Sequence, residues 1–403
     1  MHILLLNETD WFLKGPGAQH HLFERIAKNN KITVTVFDYD IDKIQYSKSR
    51  LVKKTIWKNL SRTVSNSNIK VIRSSNIRVP YVSRISSLIM NFFDIGTYIR
   101  KNRPSVIVNL SVANGVIGYI YSKLYHIPFV FQYIDIIHEL ISIQYIRWIA
   151  RIIIRYLLKH SDYIIVLNKF LKDFVNREIG GKNDISIIPN GISLENTKID
   201  EFTVQRLKTK YNIRDNDRVI LFMGRLYDFA GLIEIIDYYN EKITHYGLHL
   251  KFLIIGIGKV FHQIKKKIRE DNANWVVITG LIPYQNLANY IELADLCLMS
   301  FKYNNITKNV TPIKVLEYMA MKKPVLSTKL PGLYNQLGEN HGLIYCKDQK
   351  NLIMDIEKYI SQKEYLKEQG LKAFKYVSRN YLWDILAMKL KKIIFNLIKN
   401  PDK

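Results

Sequence analysis

A chain of 403 residues exceeds what one hydrophobic core usually supports, so two domains are expected, and a hydrophobic content of 48% argues against long disordered stretches. Two cysteines, Cys297 and Cys346, exclude a disulfide framework and fit a reducing cytoplasm, and no Cys/His cluster has metal-site spacing. The formal net charge of +25, from 60 Lys and Arg against 35 Asp and Glu, suits a polyanionic neighbour, either an anionic lipid leaflet or nucleic acid. No helix-turn-helix or RNA-recognition aromatics support the second, so no nucleic-acid partner is expected.

The opening MHILLLNETD lacks a basic n-region, and its apolar run is too short for a signal peptide. It supplies a first strand, Ile3 to Leu6, and a Gly-bearing loop then leads into a helix over Ala18 to Ala27. Ile32 to Phe37 is a β-branched strand ending on Asp38-Tyr39-Asp40, with Asp42 beyond. A D-x-D can hold a divalent metal, but loop carboxylates after strands are common and no second ligand cluster supports one here. From Arg50 to Arg103 there are 12 Lys and Arg and one acid, Asp94, interleaved with Ile, Leu, Val, Phe and Trp57. The longest uncharged run, Pro104 to Ser122, has 19 residues, but the polar Asn109, Ser111 and Asn114 at its middle indicate strand, turn and helix. No transmembrane helix is expected.

Strands follow at Val106 to Leu110, Pro128 to Tyr133 and Tyr163 to Leu167, with a helix over Val116 to Leu124. Between them, Arg147, Arg151, Arg155 and Lys159 recur every four residues and draw a cationic stripe on one helical face, while Ile149, Ile153 and Leu157 fill another. Such basic amphipathic segments suit an anionic bilayer surface or a core-packed helix with a solvated cationic side.

The pattern restarts after the turn Pro189-Asn190-Gly191. Strands are expected at Val219 to Met223, Lys251 to Ile255, Trp275 to Thr279, Leu296 to Met299 and Val325 to Ser327, with helices between and a basic amphipathic helix over Trp383 to Leu397 at the end. Strand–helix alternation of this kind implies parallel sheets, hence α/β domains over residues 1–194 and 195–382.

The most informative segment is Asn309 to Val325, NVTPIKVLEYMAMKKPV. A short loop with a Pro feeds a helix carrying one acid, Glu317. Free amides and the positive dipole end at a helix N-terminus suit a phosphate, and an acid further along can accept ribose hydroxyls. This stretch resembles the donor-site motif of family-4 glycosyltransferases of the GT-B fold. The resemblance extends, in order, to Gly15-Pro16-Gly17, Ser161 to Val166, Pro189-Asn190-Gly191, Gly224-Arg225, Gly256 and Gly258, Leu293-Ala294-Asp295 and Tyr381-Leu382-Trp383, nearly the whole chain.

The resemblance implies two Rossmann-like domains facing a cleft, allows the C-terminal residues 383–403 to cross back onto the first, and implies a retaining, metal-independent, hexosyltransferase-type enzyme. Its nucleotide-sugar donor would serve as a substrate, not a cofactor, and would be held by the second domain. Glu317 would bind the ribose, backbone amides around Thr311, Pro312 and Ile313 the diphosphate, and Arg225 a phosphate as charge develops on the leaving group. Gly17 and Gly224 would allow close backbone approach. Asp135 and His138, in Phe131 to Glu139, are candidates for acceptor or sugar contacts, since His can act as acid, base or neutral donor. The acceptor would be a glycan or lipid-linked carrier in cell-surface polysaccharide or glycoconjugate synthesis, with the basic first domain on the inner face of the cell membrane.

Three positions depart from the family pattern. Asn309 stands where a first Glu is common, and it cannot place a carboxylate near the anomeric carbon. Ala230 stands where a Lys often partners the arginine; Lys314 could replace it, although a solvent-facing Lys is the simpler expectation. Ile134 precedes Asp135 where a His is common. A non-catalytic scaffold or subunit, and a sugar-nucleotide epimerase using the same fold, therefore remain alternatives.

Overall fold

Apolar runs of Ile, Leu, Val and Phe without polar alternation suit strands covered on both faces. The computed structural model describes all residues except 8–9, 13–15, 29–31, 39–50, 78, 80–81, 137, 139–142, 182–183, 247–248 and 400–403. Gly15, Arg50, Glu139 and the Tyr39, Asp40 and Asp42 of the acidic motif lie outside the described residues. The chain divides into two compact units, Met1–Asn190 with Trp383–Lys403, and Gly191–Leu382.

The first unit contains strands β1 (His2–Leu6), β2 (Thr33–Phe37), β3 (Leu51–Val52), β4 (Thr55–Leu60), β5 (Ile69–Arg73), β6 (Asn76–Ile77), β7 (Val106–Asn109), β8 (Phe129–Tyr133), β9 (Tyr163–Val166) and β10 (Ile185–Ile187). Eight form one sheet in the order β10-β9-β8-β7-β1-β2-β5-β4, parallel except at the β4–β5 edge, while β3 and β6 pair separately. Its helices are α1 (Ala18–Ile26), α2 (Val82–Asn102), α3 (Ala113–Tyr125), α4 (Gln144–His160) and α5 (Lys169–Ile179). Alternate residues of β1 point to opposite faces. Ile3 and Leu5 meet Leu22 and Phe23 of α1, whereas Leu4 and Leu6 join Ile95 of α2, Ile117 of α3 and Ile154 of α4.

Three expectations about the basic half are corrected here. Arg73 is not a surface cation: it is buried in ion pairs with Asp10 at 3.0 Å and Asp38 at 2.6 Å. That pairing also occupies the Asp38 carboxylate, which accepts from the Trp11 amide as well. Trp57 is half-buried, its ring 4.9 Å from Phe12 and beneath the Arg73 guanidinium. Finally, α4 buries Ala150, Ile154, Leu157 and Leu158, so the apolar face is rotated from the expected one and Ile149 is exposed. The helix has Ile or Leu on several sides, and the sheet selects which row to cover.

The second unit contains α6 (Glu201–Lys210), β11 (Arg218–Met223), α7 (Leu232–Tyr246), β12 (Leu250–Ile255), α8 (Phe261–Glu270), β13 (Val276–Gly280), α9 (Leu287–Glu292), β14 (Leu296–Met299), α10 (Ile313–Ala320), β15 (Val325–Thr328), α11 (Pro331–Leu337), β16 (Leu343–Cys346), α12 (Gln349–Ile360) and α13 (Lys363–Asn380). Its all-parallel sheet runs β13-β12-β11-β14-β15-β16. Strand order reverses at β11, leaving a crevice at its C-terminal end between the connections after β11 and β14; ligands bind at such switch points in open α/β sheets.

The closing helix, α14 (Trp383–Lys399), belongs to the first unit. Leu386, Leu390 and Ile394 join the α1 cluster, Trp383 stacks on His21 at 4.7 Å, and Asp384 pairs with Arg25 at 3.3 Å. Among the described residues no helix is long and apolar enough to cross a membrane.

Candidate functional site

A pocket of about 770 Å³ opens at the C-terminal ends of β11, β12 and β13. Gly224 and Arg225 follow β11, Gly256 to Gly258 follow β12, and Leu281, Ile282 and Tyr284 follow β13; Phe261 and His262 open α8, and Lys314 and Glu317 come from α10. Backbone forms much of the floor, and glycine is required there. Gly256 has φ +135°, and a Cβ on it would lie 1.9 Å from the Gly224 carbonyl oxygen. Helix α10 is anchored below by Tyr318, whose buried hydroxyl accepts the Met223 amide at 2.9 Å.

Lys314 is the least expected feature. Part of its stem is exposed, but Nζ is buried and has no hydrogen-bond partner. It lies 3.8 Å from the ring centroid of Phe222 and 4.5 Å from that of Phe301, one before and one after the switch point. Two aromatic faces stabilise a cation by a few kcal/mol at most, less than desolvation costs. Burial accordingly pulls its pKa from 10.5 down to about 7, with Glu317 opposing the fall. The expectation of a solvent-facing lysine is therefore wrong: Phe222 and Phe301 turn the side chain inward across the crevice.

One turn along, Glu317 accepts the Tyr284 hydroxyl at 2.9 Å. Burial raises the pKa of its carboxyl, while the Tyr284 bond and Lys314 pull it down. Arg225 stands exposed at the rim, with no ion-pair partner among the described residues. Asn309, Thr311, Pro312 and Ile313 do not line the pocket. Pro312 caps α10 and accepts the Val315 amide, and Asn309 packs through its backbone on Gly332, where a Cβ would come within 2.5 Å. Ala230 is fully buried; its carbonyl accepts from Ser300, whose own carbonyl accepts from Gln349.

In the first unit, Gly17 caps α1 and its amide donates to Nδ1 of the buried His20. Asp135 is exposed, its carboxylate closing a local turn on the Ile136 amide at 2.8 Å. His138 is buried, with its ring near Phe174. From the sequence, base contacts are expected near Ile282 to Tyr284 and Phe301, but neither the Tyr284–Glu317 bond nor the enclosure of Lys314 by Phe222 and Phe301 is visible there, because β11 and the loop after β13 meet α10 only through the sheet order.

Two family models match the chain, "Glycosyltransferase Family 4" over residues 22–196 and "Glycosyl transferases group 1" over residues 203–376. The chain belongs to the family-4 glycosyltransferases. It is 22% identical to an uncharacterized glycosyltransferase of Methanocaldococcus jannaschii, over 83% of this chain and 86% of that one. TuaC of Bacillus subtilis, whose name assigns it to teichuronic acid biosynthesis, is 24% identical over 44% of this chain and 41% of its own. Among solved structures, Anabaena HepE in complex with UDP aligns over 98% of this chain and all of its own, with a TM-score of 0.70 at 14% identity. The fold of this family-4 chain is GT-B, with two parallel-sheet Rossmann-like domains.

Proposed function

We propose that the pocket of the second unit holds the nucleoside diphosphate of an activated sugar, and that the protein is a retaining hexosyltransferase. The observation that carries this reading is Lys314: a buried ammonium with no acceptor, facing a pocket of nucleotide size. A phosphate oxygen arriving there supplies the missing acceptor, and a charge-assisted bond in a dry site is a strong one. Arg225 at the rim offers the second cation, neutralising the leaving diphosphate as the glycosidic bond to it breaks. Two side-chain cations supply the charge compensation, so the proposal invokes no metal. Glu317 takes the ribose hydroxyls once they displace Tyr284, and the Gly224 backbone approaches the phosphates beside Lys314.

The acceptor is a glycan or lipid-linked carrier for cell-surface polysaccharide, with the basic first unit resting on the inner face of the cell membrane. The name of TuaC and the net charge of +25 support this. The test is nucleotide release from UDP-, GDP- and ADP-sugars, with and without a glycolipid extract. One donor should be consumed faster with extract, and Glu317→Ala should abolish the increase. Nucleotide binding without any sugar transfer would leave a scaffold instead.

A further inference from the structure

The two rings that enclose Lys314 are held in different ways. Phe222 belongs to β11 and is fixed by the sheet, whereas Phe301 lies two residues past the end of β14, on a connection with no ladder of its own. Four hydrogen bonds fix that connection instead. The Ser300 carbonyl accepts Gln349 Nε2 of α12 at 2.5 Å, and the Ser300 hydroxyl donates to the Ala230 carbonyl at 2.6 Å. The Phe301 carbonyl accepts the Thr328 hydroxyl of β15 at 2.8 Å, and the Lys302 amide donates to the Phe229 carbonyl at 2.7 Å. Two of these bonds end on the turn after β11, so the two connections that border the crevice are tied to each other.

Gln349 and Ser300 are both buried, and neither lines the pocket. A carboxamide or hydroxyl in such a place must be bonded or it destabilises the fold. The Gln349 amide also requires a glycine beside it: Gly231 has φ +69°, and a Cβ there would lie 1.8 Å from Nε2. Apolar side chains could fill the same volume without these demands. What the polar pair adds is a fixed place for residues 300–302, and hence for the Phe301 ring.

We propose that Gln349 and Ser300 are positioning residues for the donor diphosphate: they clamp the connection after β14 to the turn after β11, and so press Phe301 over Lys314 and keep Nζ out of water until a phosphate oxygen arrives. Both act through Phe301 and touch no ligand themselves. This role rests on the reading of Lys314 as the phosphate cation. The titratable groups that face Lys314 are Glu317 on its own helix and Arg225, His262 and Tyr284 across the pocket, and none of them belongs to the clamp. Opening the clamp therefore lets water reach Nζ, and moves its titration from about 7 back toward 10.5, without changing a neighbouring charge.

The experiment follows UDP affinity by calorimetric titration, and stability of the free protein by denaturant unfolding, from pH 7 to 10. The proteins are the parent, Ser300→Ala, Gln349→Leu, Phe301→Leu and, as a control, Tyr239→Phe, which removes a buried 2.7 Å bond to the Ile353 carbonyl of α12. In the parent, affinity falls and stability rises from about pH 7 upward. In both clamp variants these changes should begin about one pH unit higher, and binding at pH 7 should weaken about fivefold. Phe301→Leu should displace the curves in the same direction, and adding Ser300→Ala to it should displace them no further. Tyr239→Phe should keep the parent's pH dependence. Clamp variants that melt earlier yet keep the parent's pH dependence would overturn the proposal. So would displacements by Ser300→Ala and Phe301→Leu that add, or a displaced curve in Tyr239→Phe. A parent that binds no UDP, with stability curves still displaced by the clamp variants, would refute the donor-site reading and leave the enclosure of Lys314 by the clamp standing.

Discussion

Replacing Lys314 with Met removes a buried charge while keeping most of the volume of its stem, and the consequences have opposite signs with and without nucleotide. In the free protein the Lys314 pKa is held at about 7, against 10.5 unperturbed. At 1.36 kcal/mol per pH unit that gap amounts to roughly 5 kcal/mol. Between those pH values the unfolded chain binds the proton and the folded one does not, so this residue makes stability rise with pH from about 7 toward 10.5. Lys314→Met should flatten that rise and leave the free protein more stable than the parent at pH 7.

Nucleotide reverses the preference, because a diphosphate favours the charged amine. Above pH 7 binding must then take up a proton, and affinity should fall by up to about tenfold per pH unit. The groups facing Lys314 are Glu317 on its own helix, Arg225 and His262 across the pocket, and Tyr284 on Glu317. Calorimetric titration of UDP between pH 7 and 9, in buffers of different ionisation enthalpy, reads the proton directly. Proton uptake that vanishes in Lys314→Met is expected. An affinity independent of pH, with no proton exchanged, would refute the assignment of Lys314 to the phosphates.

Other changes have equally definite expectations. Glu317→Ala should weaken nucleotide binding by about tenfold or more, since hydrogen bonds to a charged acceptor contribute about 1.5–3 kcal/mol, measured by titration at pH 7. Tyr284→Phe removes the hydroxyl that occupies Glu317 in the free protein, so affinity should stay the same or rise slightly; a large loss would mean that Tyr284 itself holds the ligand. Gly256→Ala would drive a Cβ into the Gly224 carbonyl at an unfavourable φ, and should lower the melting temperature and abolish nucleotide binding together. Arg73→Met removes the guanidinium paired with the buried Asp10 and Asp38 and should cost about 3–5 kcal/mol in denaturant unfolding, an effect that shrinks in acid as Asp38, whose carboxyl burial already pushes up, takes a proton.

Most of both sheets could be seen in the chain itself. Parallel strands buried on both faces are unbroken apolar runs, and β1, β2, β8, β11, β12 and β14 fall within a residue of where those runs stand. The α10 motif was visible for a similar reason: a Pro at the helix start, an acid two turns in and a strand beyond. The β4–β5 edge was hidden because its residues alternate with Lys and Arg and resemble a solvated surface. Arg73 looked like one cation among many, and only the adjacency of β2 and β5 brings it to Asp38, 35 positions away. Lys314 shows the same limit at the site. Of its neighbours, Phe222 is separated from it by β12, β13 and β14 and Phe301 by the loop after β14, so its burial depends on sheet order and loop path and not on any local pattern.

The central claim, that the second unit holds a nucleoside diphosphate through Lys314 and Glu317, is tested most directly by thermal unfolding of the parent, Lys314→Met and Glu317→Ala with UDP, GDP, ADP and CMP. A ligand specific to the folded state adds about 2.7 kcal/mol at 100 times its Kd. One diphosphate should raise the melting temperature of the parent, CMP should raise it little, and both variants should lose most of the shift. No shift with any nucleotide, or a shift that both variants keep, would contradict the claim.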